Sequence, residues 1–224
     1  MRDGPPVATF LFADLAGFTA LTEAHGDEAA LDVLTRMGDR AAEIVDAHGG
    51  TLVKTIGDAI MVRIPEARRA IELGLHLERG PSQTPGLPRV RVGMHSGPAL
   101  QRGEDWFGAT VNLAARVAAL ATSGEVLLTE QTRVAAGALD GVALIACESA
   151  RLKGIAEQVP VYQAVDLADE RARPELLIDP VCRMTVDPGS SAGRLSYRGA
   201  AYEFCSLECA GAFAVTPERY VESA

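Results

Sequence analysis

No stretch of the 224-residue sequence approaches the roughly 20 consecutive apolar residues that cross a bilayer, so no membrane span is expected. Basic charge is short too: 21 Lys and Arg stand against 30 Asp and Glu, for a formal net charge of −9. A general nucleic-acid binder would need a basic face, which excludes nucleic acid as the expected partner. A phosphate-bearing small molecule stays open, because a local pocket can be positive on an acidic protein. The opening, Met1 to Pro6, has neither the n-region and h-region nor the cleavage site of a secretory signal, and the cytoplasm is the expected compartment. Repeats and low-complexity segments are absent. Histidine is scarce, with four residues and none after His95. Cysteine also numbers four, but Cys182, Cys205 and Cys209 gather near the end, and a cytosolic cluster of this kind points to metal ligation before disulfides.

What is present describes a soluble globular chain, 48% hydrophobic and 23% charged, with room for one ordinary domain and a small appendage. Residues 7–165 read as an alternating α/β unit. Val7–Ala13 is a continuous apolar run of strand length. A helix follows from about Phe18 to His48, with Leu31, Leu34, Met37, Ala41, Ile44 and Val45 near 3.6-residue spacing, and Gly49-Gly50 stops it. Thr51–Ile56 and Ala59–Ile64 flank Gly57-Asp58, a two-residue hairpin signal. Glu66–Arg79 reads as a helix and 80–88 as a loop. A strand (Arg89–His95), a helix (about Thr110–Ala121), a strand (Glu125–Thr129) and two short strands near 142–147 and 159–165 complete the unit. The order βαββαβ predicts an α+β, ferredoxin-like core. Charge without period marks a linker over 166–177. Residues 178–221 form a second unit, too small to build a sufficient core without a staple.

Two carboxylates carry the first chemistry. Asp14 ends the first strand beside the backbone N–H groups of Gly17, Phe18 and Thr19 at a helix start, a placement that suits a metal–triphosphate complex. Asp58 lies in the hairpin turn, and a ferredoxin-like order puts it beside Asp14. Two carboxylates that close repel unless a cation lies between them. Asn112 and Arg116 are i and i+4 on one helix face, and Arg116 lies among alanines and valine, where a cation calls for an anion.

The segments TFLFADLAGFT (9–19), VKTIGDAIMV (53–62), RVGMHSG (91–97) and GATVNLAARV (108–117) resemble the signature of class III adenylate and guanylate cyclases. The resemblance implies two Mg²⁺ or Mn²⁺ ions on Asp14 and Asp58, and a triphosphate held at Gly17, Phe18 and Thr19. It implies adenine selection by Lys54 and Asp105, transition-state stabilisation by Asn112 and Arg116, and ATP as substrate for cyclic AMP formation. It also implies a homodimer whose sites draw on both protomers. A degenerate, nucleotide-binding relative and a diguanylate cyclase are the competing readings; the first would normally have lost one of these residues, and the second would carry a GGDEF-type turn.

Cys205-Ser-Leu-Glu-Cys209 is a C-x3-C at a probable helix start. With Cys182 it reads as a thiolate site for zinc or copper. The passages DPVCRMTV and YEFCSLECAGAFAVTPERY resemble the YHS/TRASH metal-binding module. The fourth ligand cannot be a histidine of this unit; Met184, Asp179 and solvent are open. His95 is read as a packed core histidine, Trp106 as filling the loop near the base pocket, Cys147 as a small buried hydrophobe and Lys153 as a surface residue.

Overall fold

The computed structural model describes residues 5–82, 84–152, 155, 157–168 and 176–221. Most of the expected linker, and Lys153, lie outside them. β1 (Val7–Leu15) is an interior strand of the first unit, paired on both sides. After it come α1 (Phe18–Ala47), β2 (Thr51–Ile56), β3 (Ala59–Ile64), α2 (Ala67–Ser82) and β4 (Val90–Pro98). The chain continues through β5 (Leu100–Arg102), β6 (Asp105–Phe107), α3 (Ala109–Leu120), β7 (Val126–Thr129), α4 (Glu130–Ala136), β8 (Val142–Ala146) and β9 (Val161–Asp166). Seven of these strands form one sheet in the order β2-β3-β1-β4-β7-β9-β8. The mixed α+β class expected from the sequence is the one observed.

β1 is apolar without alternation because both of its faces are covered. Leu11, Ala13 and Leu15 pack with α1 and α2, whereas Ala8, Phe10 and Phe12 pack with α3 and Trp106. Fully burying a side chain such as Phe10 or Leu11 stabilises the fold by about 1.5–3 kcal/mol. α3 lies unusually close to β4. A Cβ on Gly93 would fall 2.0 Å from the backbone nitrogen of Ala118, so this contact requires glycine.

α1 differs from the sequence expectation in two ways. Gly26 is non-helical (φ 82°, ψ 169°), which divides the helix into a front segment ending at His25 and a longer rear one. The buried stripe is Leu21, Ala30, Val33, Met37 and Val45; Leu31 is 62% exposed, one position off that stripe. Two elements were not anticipated, the β5–β6 hairpin and α4. Cys147 is exposed rather than buried, because β8 is the outermost strand of the sheet and Cys147 follows directly after it.

The second unit comprises β10 (Leu177–Ile178), β11 (Thr185–Val186), the β12–β13 hairpin (Gly193–Tyr197, Ala200–Phe204) and α5 (Leu207–Val215). Its core is small: Val181, Cys182, Phe204, Cys209 and Phe213. Tyr202 and Phe204 hold their rings 5.0 and 5.1 Å from that of Phe213. The unit rests on the front segment of α1, where Ala24 joins its core and Arg219 pairs with Glu23 at 3.1 Å. α2 runs on to Ser82, into the stretch read as a loop, and Thr84, Gly86 and Leu87 beyond it form the other half of the seam. Thr185 donates its N–H to the Leu87 carbonyl at 3.0 Å and its hydroxyl to the Thr84 carbonyl at 2.7 Å. Among the described residues no helix is long and apolar enough to cross a membrane.

Candidate active site and thiolate cluster

Antiparallel pairing sets Asp14 opposite Ala59 on β3, so Asp58, in the turn just before Ala59, comes beside it. The two carboxylates share a hydrogen bond, and burial followed by that contact raises the Asp58 carboxyl from 3.8 to about 6. The pair is a donor set of hard oxygens at a strand end and a turn. That is the place a divalent cation fits. Arg91, across from Asp14 on β4, donates from Nε to Asp14 Oδ2 at 2.8 Å and also from Nη2. Gly17 opens α1 with φ 89°. Its turn has no room for a side chain, since a Cβ there would lie 2.5 Å from Cβ and Cγ of Arg183.

Lys54 and Asp105 meet elsewhere. The β2–β3 register shifts between Leu52 and Lys54, and a bulge of this kind re-aims the side chain beside it. Lys54 Nζ donates to Asp105 Oδ2 at 2.7 Å, and the other carboxylate oxygen, Oδ1, accepts the N–H of the next residue, Trp106, at 2.8 Å. Hydrogen bonding to Lys54, then to Trp106, lowers the Asp105 carboxyl pKa. Trp106 itself is buried against Phe10, with ring centroids 5.6 Å apart. Asn112 is exposed and Arg116 half-buried on α3. Among the described residues, no hydrogen bond or ion pair joins either one to the Asp14–Asp58 pair.

The three cysteines of the second unit converge. Cys182 Sγ lies 3.4 Å from Cys205 Sγ, which lies 3.8 Å from Cys209 Sγ. Hydrogen bonds from Cys182 and Cys205 lower the Cys209 thiol, and hydrogen bonding with Cys205 and then Cys209 raises that of Cys182. The fourth member is His25 of α1, with Nε2 at 3.5 Å from Cys205 Sγ and 3.6 Å from Cys209 Sγ. The sequence leaves Met184, Asp179 and solvent open for the fourth position, and the structure brings a histidine from outside this unit to the sulfurs. Asp179 is fully buried, and its carboxylate accepts the N–H groups of Val181 (2.8 Å), Cys182 (3.3 Å) and Cys205 (2.8 Å). It fixes the backbone of both cysteine loops, and its charge raises the Cys182 and Cys205 thiols as well. Met184 contributes to the apolar packing. The one signal of His25 in the sequence is the His-Gly pair inside a long helical period.

These features match known families. The family model described as the adenylate and guanylate cyclase catalytic domain matches residues 5–163, and the chain belongs to that family. A YHS domain model matches residues 177–224, so a cyclase catalytic domain is followed by a YHS domain. A pH-sensitive adenylate cyclase of Mycobacterium tuberculosis is 34% identical over 163 residues, 71% of this chain and 41% of that protein. An adenylate cyclase of Streptomyces coelicolor is 38% identical over 117 residues, 52% of this chain and 31% of that protein. The chain therefore spans less than half the length of these relatives. Among solved structures, the adenylyl cyclase CyaB from P. aeruginosa superposes with a TM-score of 0.62 at 24% identity, covering 71% of this chain and 94% of that one.

Proposed function

We propose that the chain is an adenylate cyclase that converts ATP to cyclic AMP and pyrophosphate at sites shared by two copies of itself. The observation that carries this reading is the Lys54–Asp105 pair at 2.7 Å. Lys54 donates to an acceptor nitrogen of adenine, and Asp105 accepts from the exocyclic amine. Guanine presents the reverse pattern, and a mismatched polar edge costs several orders of magnitude in specificity. The relatives named as adenylate cyclases support the same choice.

Asp14 and Asp58 would hold two Mg²⁺ or Mn²⁺ ions, which supply Lewis-acid activation of the attacking hydroxyl and charge neutralisation of the triphosphate. The backbone of Gly17, Phe18 and Thr19 receives the triphosphate at the start of α1. Arg116 stabilises charge that builds on the phosphoryl oxygens, and Asn112 orients the ribose so that its 3′-hydroxyl lies in line with the α-phosphorus.

A homodimer accounts for the separation of the parts. Among the described residues no hydrogen bond or ion pair joins the carboxylate pair to Asn112 or Arg116, and exposed Ile56, Leu100 and Phe107 border the Lys54–Asp105 pair. Two-fold pairing brings one copy's carboxylates to the other's Lys54, Asp105, Asn112 and Arg116 and forms two equal sites. The C-terminal module binds a soft metal through Cys182, Cys205 and Cys209, and an ATP-consuming protein with four free cysteines fits the reducing cytoplasm. The test is incubation of purified protein with ATP and Mn²⁺, followed by measurement of cyclic AMP. Turnover that disappears in Asp14→Ala and Asp58→Ala is expected. Absence of product from the unaltered protein leaves only nucleotide binding and overturns the reading.

A further inference from the structure

The ligand atoms of His25, Cys182, Cys205 and Cys209 all lie within 4.8 Å of one another. Bonds of about 2.3 Å to sulfur and about 2.0 Å to nitrogen give a tetrahedron with edges of about 3.8 Å between sulfurs and about 3.5 Å between sulfur and nitrogen. The observed spacings are 3.4 and 3.8 Å between sulfurs, and 3.5 and 3.6 Å from nitrogen to sulfur. Three thiolates and an imidazole in that arrangement make the donor set of a closed zinc site. The histidine and the cysteines belong to different domains.

His25 is the last residue of the front segment of α1 before the break at Gly26. That segment, Phe18 to His25, is too short to hold a helix by itself, and the break denies it the support of the rear segment. Leu21 anchors one side of it in the first domain's core, and the second domain holds the other side through Ala24, the Glu23–Arg219 pair and the His25 ring. Arg183, next to Cys182, presses its stem on the Gly17 turn, and it does so with a left-handed backbone of φ 66°, a conformation rare outside glycine.

We infer that His25 completes a four-coordinate zinc site with Cys182, Cys205 and Cys209. The ion clamps the C-terminal domain onto the front of α1, so that its binding orders Gly17–Thr19 at the head of that helix and tightens the hold on ATP. This rests on the proposed reading of those residues as the triphosphate site. Ordering them before ATP arrives removes that cost from binding. A coupling of ordinary size changes ATP affinity about 5- to 150-fold, with the zinc-loaded form the tighter one.

The test uses the full chain as wild type, His25→Ala, His25→Cys and the triple Cys182/Cys205/Cys209→Ser variant. Metal content, Co²⁺ absorption, amide hydrogen exchange over residues 18–25 and the KM for ATP at saturating Mn²⁺ are read for each. The expected wild type carries one zinc per chain, and its Co²⁺ form shows a tetrahedral spectrum. His25→Ala is expected to bind Zn²⁺ at least tenfold more weakly, and His25→Cys to restore tight binding with stronger thiolate-to-cobalt bands. Stripping the zinc, or His25→Ala, should speed exchange over residues 18–25 and raise the KM for ATP. Wild-type zinc affinity and an unchanged Co²⁺ spectrum in His25→Ala overturn the shared site while leaving a three-cysteine site intact. Weakened zinc binding with unchanged exchange and KM overturns the clamp. Undiminished metal in the triple Ser variant overturns the thiolate reading itself, whereas failure of the cyclase reading shows separately as no cyclic AMP from any variant.

Discussion

Lys54 and Asp105 lie 51 residues apart in sequence and join through a 2.7 Å ion pair that the bulge in β2 makes possible. Either partner alone is a surface charge, and only together do they present a donor beside an acceptor. Lys54→Gln and Asp105→Asn are each expected to lower kcat/KM for ATP by about 10- to 100-fold, or ~1.4–2.7 kcal/mol of transition-state binding. The ratio of ATP to GTP turnover should fall with it. An unchanged ratio in both variants would remove this pair from base selection.

Shared sites make a quantitative expectation for mixtures. Asp14→Ala and Arg116→Ala should each be inactive. Random exchange gives half heterodimers, each with one intact site of two, and therefore about a quarter of wild-type activity. Subunit exchange demonstrated by a tag pull-down, with no return of cyclic AMP formation, would count against the interfacial site.

His95 is buried on β4, its Nδ1 2.7 Å from Thr129 Oγ1, and burial lowers its pKa from 6.5 to about 4. The folded state resists the proton that the unfolded chain accepts. Stability from this group is thus complete above pH 6.5 and is lost as pH falls toward about 4, by at most about 3 kcal/mol. Urea unfolding at about pH 7.5 and pH 5 should show a larger loss for the wild type than for His95→Gln. Equal losses in the two proteins would assign the acid sensitivity to other groups.

Gly93→Ala places a methyl 2.0 Å from the Ala118 nitrogen, and neither β4 nor α3 can yield without losing its core contacts. The expected cost is about 3 kcal/mol, seen as a lower midpoint in thermal or urea unfolding. Gly103→Ala, where nothing lies within 4 Å of the added carbon, serves as a comparison in open space. Its small penalty should come from its backbone angle alone.

The core was readable in the sequence where one physical signal dominated. β1 shows as an unbroken apolar run because it is covered on both faces, and Gly57-Asp58 shows as a turn because its chemistry allows little else. The β5–β6 hairpin escaped because strands of three residues, LQR and DWF, have no measurable period. Leu31 shares the helical period yet lies exposed, because a period carries no sign of where its phase begins. His25 escaped for a different reason: 180 residues separate it from Cys205, and spacing rules for metal ligands apply within a single module. Contact between two domains leaves no local trace in a sequence.

Asp179 gives the thiolate cluster a property of its own. Its two carboxylate oxygens gather N–H groups from the Cys182 turn and from Cys205, so the cysteine backbones are held in place by the protein itself. A cage set in this way discriminates among ions by the bond lengths and angles it can offer, since raw affinity alone would favour copper over zinc. Asp179 thereby holds the two cysteine backbones on whose spacing such discrimination would depend.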